Sequence, residues 1–125
     1  MTDVESDNGS LAYIPFSHHV VKAVTSLIEE KKIKVSLYWR LEDLRALVLK
    51  DTIKDMVIQK IGKERYDIFL KNSQFIEEKD KDTREFDFQM KKGSVLIFDE
   101  IGVHRGSRPS KQGRLVLRYL YRRKN

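Results

Sequence analysis

Apolar positions recur with one period in the middle of this chain and another towards its end. Leu11 to Ile14 (LAYI) predicts a short strand, closed by Pro15, which has no N–H to give a ladder. From His19 to Ile33, Val20, Val21, Val24, Leu27 and Ile28 repeat at helical spacing. A second helix is predicted from about Glu42 to Ile61. There Leu44, Leu47, Val48, Ile53, Met56 and Val57 trace a largely apolar stripe, and Gly62 follows as a stop. Lys63 to Phe75 reads as a third, shorter helix. Lys34 to Arg40 fits either a strand or a connection. The charged run EEKDKDTRE (Glu77 to Glu85) reads as an exposed loop.

The period then shortens to two. Phe86, Phe88 and Met90 alternate with Asp87 and Gln89, a strand pattern. Lys92-Gly93 makes a turn, and SVLIFDE (Ser94 to Glu100) predicts a buried strand. From Arg114 to Arg122 the chain alternates again, with Leu115, Leu117, Tyr119 and Tyr121 on one face. No internal repeat or linker divides the chain. The expected plan is a strand, a helical middle and three strands in one domain. Residues 1–18 form a strand-and-turn motif, 19–85 a mainly helical insertion, and 86–122 the C-terminal strands.

Length and composition narrow the class. A chain of 125 residues and 14.8 kDa buries roughly two-thirds of its unfolded surface, enough for a single core. No apolar run is long enough to cross a bilayer, and the start MTDVESDNGS is too acidic for a signal peptide. The absence of cysteine excludes disulfides, thiol nucleophiles and thiolate metal sites. A cytoplasmic address fits. The net charge of +6 is localised. Arg105 to Asn125 holds eight basic residues and no acidic one, against 17 basic and 19 acidic residues before it. Such a stretch suits an anion site, and it suits equally a strand edge guarded by charge.

Two residues in this stretch could carry chemistry together. His104 ends the strand-like run SVLIFDEIGVH, and Arg114 opens the next strand ten residues on. Antiparallel neighbours would bring both to one rim. A neutral imidazole ligates divalent metals, and a guanidinium grips a carboxylate through two parallel hydrogen bonds. That pairing suits a chelating oxo-acid. On the spacing alone, His104 is more often an ordinary loop-edge histidine.

The segment GSVLIFDEIGVHRGSRPSKQGRLVLRYLY resembles the C-terminal strands of the phytanoyl-CoA dioxygenase-like family. DVESDNGSLAYIPFSHH resembles the same family's middle motif, an Asn-Gly turn, an apolar strand and Ile-Pro-Gly-Ser-His. The resemblance covers Asp3 to His18 and Gly93 to Tyr121. It implies a mostly β chain with a helical insertion, a partial double-stranded β-helix or jelly roll. It further implies an Fe(II)/2-oxoglutarate-dependent dioxygenase acting on a small molecule. His104 would be the second histidine ligand of the iron, and Arg114 would bind the far carboxylate of 2-oxoglutarate.

Two departures qualify what is carried over. The family's other ligands come as His-any-Asp or His-any-Glu upstream of the Asn-Gly turn, and no such triplet occurs in this sequence. Phe16 stands where the motif has glycine. The expectation is therefore a domain lacking its N-terminal strands and inactive by itself. An uncovered sheet would then leave the chain prone to self-association. His18 and His19 read as a polar turn before a helix, or as replacement ligands beside Asp3 or Glu5. Tyr38 and Trp39 read as core or interface residues before pocket residues, and Asp99 and Glu100 as a strand-end turn. Two other functions remain open. One is a non-catalytic domain that binds an anion or protein through the Arg114 rim. The other is a small nucleic-acid-binding module, with Tyr121 as its stacking platform.

Overall fold

The computed structural model describes residues 11–34, 40–79, 83–89 and 91–106. Helix dominates it. Four helices, α1 (Ser17–Glu29), α2 (Leu41–Leu49), α3 (Asp51–Ile61) and α4 (Lys63–Glu78), fill the middle of the chain. The strands are short: β1 (Leu11–Tyr13), β2 (Asp87–Phe88) and β3 (His104–Gly106).

The expected mostly β, partial jelly-roll architecture is overturned. Every buried apolar side chain of the described core lies on a helix except Ala12 and Ile14. The 19–85 region is thus the body of the protein and not an insertion into a β framework. Of the strand expected from Phe86 to Met90, the ladder among the described residues spans Asp87 and Phe88, Phe86 belongs to a single 3-10 turn, and Met90 lies outside the described residues. Among the described residues Ser94 to Asp99 joins no ladder, and Val95 and Ile97 are 83% and 88% exposed. Alternation fixes which side chains share a face, not whether a neighbour exists to cover that face. The Arg114 to Arg122 strand lies outside the described residues.

The helices form for the reasons their spacing gives. Val20, Ala23, Val24 and Leu27 lie one turn apart along α1 and are all buried. Its end is a tight C-terminal motif. Lys32 N–H donates to Leu27 O and Lys31 N–H to Ile28 O, with Lys31 in the left-handed region at φ 57°. The predicted single helix from Glu42 to Ile61 is two, broken at Lys50, whose backbone is extended (φ −64°, ψ 128°). The Tyr66 hydroxyl donates to Val48 O at 2.7 Å, a carbonyl an unbroken helix would satisfy by itself. Gly62, at φ 88°, alone joins α3 to α4 and turns the chain at a conformation side chains resist.

Core residues from all four helices meet, led by Val24, Leu27, Leu44, Val48, Val57, Tyr66 and Phe69. The sheet order is β2-β1-β3, antiparallel throughout, with β1 in the centre. Ile14 tucks into the helical core just after β1 and so fixes the sheet against the helices. Among the described residues, no helix is long and apolar enough to cross a membrane.

Candidate functional site

His104 opens β3, directly across from Tyr13 of β1. Its register is set by Ala12 opposite Arg105 and Leu11 opposite Gly106. Just upstream, Ile14 N–H donates to Val103 O at 3.0 Å, and Val103 N–H donates to the Ser17 hydroxyl at 2.8 Å. Ser17 Oγ in turn donates to Ile14 O. The buried Ser17 therefore ties the first turn of α1 to the start of β3 and fixes where the imidazole emerges.

The turn before β3 is pinned at several points. The Tyr13 hydroxyl donates to Asp99 O at 2.8 Å, and Gly102 N–H donates to the same oxygen. Lys22 Nζ lies 2.6 Å from Asp99 Oδ2, and Ile101 N–H donates to Asp99 Oδ1. The Lys22 bond and then the Ile101 N–H hold the Asp99 carboxyl below its ordinary range. Burial, reinforced by the Asp99 charge, pushes the Tyr13 hydroxyl upward, so it stays a donor. Gly102 has no side chain, and it needs none. A Cβ there would run into the Tyr13 hydroxyl and the Ser17 oxygen.

His104 Nδ1 lies 2.8 Å from Gly102 O. A carbonyl oxygen can only accept, so Nδ1 carries the hydrogen. In the neutral ring Nε2 then keeps its lone pair, the arrangement seen in metal-ligating histidines. Tyr13 stacks near-parallel to the ring at 6.5 Å, and Phe98 meets it edge-on at 5.8 Å. The backbone bond and the Phe98 edge favour this orientation of the exposed imidazole.

His104 borders a cleft of about 560 Å³ between the sheet, the start of α2 and the end of α4. Ile14, Leu41, Ile76, Phe86 and Val103 form apolar walls. Glu42 and Glu77 line it on the helix side, His104 and Arg105 on the strand side. Glu77 is bridged by Arg45 at 2.8 Å. An apolar cleft of this size with a few polar groups suits a small organic molecule.

The other anticipated residues fall elsewhere. Arg114 lies outside the described residues, as do Asp3, Glu5, Tyr38, Trp39 and Tyr121. The strand beside His104 is β1, so the pairing anticipated with the Arg114 strand is not among the described contacts. His18 and His19 belong to the first turn of α1 and not to a turn before it, their rings 4.0 Å apart. Burial first, then the neighbouring His18, Arg65 and Lys22, push the His19 pKa down. Asp99 and Glu100 stand just before and in the turn that leads to β3, while the strand they were expected to end is not formed among the described residues. The Tyr13–Ser17–Asp99–Gly102 knot went unseen in the sequence. Its partners are 86 residues apart, and no local pattern announces such a contact.

An iron centre of two histidines and a carboxylate needs three converging ligands. Among the described residues no group of three His, Asp or Glu side chains converges. They fit one ligand of such a centre and not the centre itself. Compared with known proteins, the chain matches no family model, no curated protein and no solved structure.

Proposed function

We propose that this chain carries part of the active site of an Fe(II)/2-oxoglutarate-dependent dioxygenase of the phytanoyl-CoA dioxygenase-like kind. His104 would contribute one metal-ligating imidazole, and Arg114 would hold the far carboxylate of 2-oxoglutarate. The observation that supports this is the Nδ1 bond to Gly102 O, which leaves Nε2 as a lone-pair donor beside the cleft. The remaining metal ligands come from outside the described residues. The substrate is a small molecule seated against Ile14, Leu41, Ile76 and Phe86, and the setting is the cytoplasm. The proposal does not depend on a jelly-roll fold, which the helical core rules out. Neither does it imply phytanoyl-CoA as substrate.

A second reading is a non-catalytic domain binding an anion or a protein partner, and it accords with the lack of three converging His, Asp or Glu side chains among the described residues. The two separate on the protein from its natural source. Intact mass and N-terminal sequencing should find a chain carrying His-any-Asp ahead of Asn8-Gly9. An anoxic titration should then show Fe(II) and 2-oxoglutarate binding together. His104→Ala should abolish metal binding, and Arg114→Ala should weaken 2-oxoglutarate while sparing the metal. A native chain without a second ligand motif, or unchanged metal binding in His104→Ala, would overturn the oxygenase reading in favour of the second.

A further inference from the structure

His104 is exposed at the start of β3, so enclosure does not choose its tautomer; the hydrogen bond at Nδ1 does. The acceptor of that bond, Gly102 O, belongs to the peptide that joins Gly102 to Val103. A trans peptide is planar and sends its C=O and its N–H to opposite sides. Whatever fixes the Val103 N–H therefore aims the Gly102 carbonyl. That N–H donates to Ser17 Oγ at 2.8 Å, and Ser17 Oγ donates in turn to Ile14 O at 2.7 Å.

Ser17 is built to hold a direction. It is wholly buried in the first turn of α1, and its own backbone N–H also meets Ile14 O. Ile14 is fixed in the core and by its N–H bond to Val103 O. The space beside Gly102 is filled, since a Cβ there would meet the Tyr13 hydroxyl and Ser17 Oγ. The Lys22–Asp99 pair reaches the same turn from solvent, its side chains 54% and 40% exposed, and pairs of that kind hold geometry weakly. The buried bonds also run in one sense. They pass from the imidazole Nδ1–H through the Gly102–Val103 peptide and the Ser17 hydroxyl to the Ile14 carbonyl, and each bond in such a series polarises the next. A ring with its hydrogen on Nε2 would turn a lone pair towards Gly102 O and break the series.

We propose that Ser17 is a positioning residue for His104. Its buried hydroxyl, acting through the Gly102–Val103 peptide, holds the imidazole hydrogen on Nδ1 and keeps Nε2 as the lone-pair donor. The use of that lone pair rests on the reading of His104 as a metal ligand, but the positioning itself does not.

Nitrogen shifts of the imidazoles in the full, metal-free chain test this. The wild type should show His104 as the Nδ1–H tautomer, with the Val103 amide protected from exchange. Ser17→Ala should raise the Nε2–H share of His104 about three- to tenfold, the fold-change that one net hydrogen bond supplies. Ser17→Cys, of similar size but a weak acceptor, should fall between. Tyr66→Phe removes a buried hydrogen bond in the helical core and should leave the ratio unchanged, which separates positioning from general loosening. An unshifted ratio in Ser17→Ala, or an equal shift in Tyr66→Phe, would overturn the proposal. If Ser17→Ala does not fold, Ser17→Cys decides, and an unshifted ratio there overturns it as well. Titration of the wild type with Mn(II) tests the metal reading separately. A shifted ratio in Ser17→Ala with no Mn(II) bound by the wild type would uphold the positioning and count against the oxygenase.

Discussion

Gly102 shows how one missing side chain organises the turn that delivers His104. Tyr13 and Ser17 occupy the space a Cβ would take, and both use their hydroxyls on backbone groups around it. Gly102→Ala must displace the Tyr13 ring or the turn. We expect a loss of about 1–3 kcal/mol, the usual range for overpacking, read by urea denaturation. A change within a few tenths of a kcal/mol would show that the turn yields freely. Phe16 presents the reverse case. It stands at φ 63°, a conformation that favours glycine, at the position where the resembling motif has one. The sequence marked this residue as a departure from that motif, and its backbone here is in the left-handed region. His19 makes a prediction in pH. Its pKa is lowered in the folded chain, first by burial and then by His18, Arg65 and Lys22. The unfolded chain therefore takes up this proton first as pH falls below the ordinary imidazole value of about 6.5. The contribution is complete above that pH and is lost as pH drops towards the folded value. Stability should be lower at pH 5 than at pH 7.5, and His19→Gln should shrink that difference. An undiminished difference would place the effect on other groups.

At the scale of elements, helix existence was legible and helix boundaries were not. The stripe from Leu44 to Val57 has a helical period throughout, so nothing local marks a break at Lys50. The break is a tertiary effect, stabilised when Tyr66 on α4 satisfies the Val48 carbonyl in the core. Tyr66→Phe keeps the ring and removes that bond. It should cost about 1–2 kcal/mol, with the loss seen in the chemical denaturation midpoint. A neutral outcome would mean that α2 and α3 can rejoin and reclaim the carbonyl. Strands misled for a different reason. The apolar run from Ser94 to Glu100 read as a buried strand, but burial of a strand depends on a second layer. Among the described residues no second layer covers Val95 and Ile97.

For the molecule as a whole, the core is helical and the sheet is its accessory. Reading the middle of the chain as an insertion gave it a secondary place, because the motifs that stood out lay at the two ends. Among the described residues four helices nonetheless supply nearly all the buried apolar side chains, and β1 with the Ile14 that follows it attaches the histidine strand to them. Of the anticipated site, His104 is placed where chemistry is possible. The sequence could give its residue type but not its tautomer, which depends on the turn at Gly102. The central claim is that this ring holds its hydrogen on Nδ1 and offers Nε2 to a metal. Long-range proton–nitrogen correlation of the imidazoles, recorded before and after adding Mn(II), tests it most directly. The account predicts an Nδ1–H tautomer for His104 and relaxation centred on its Nε2 side. An Nε2–H tautomer, or relaxation confined to His18 and His19, would contradict it.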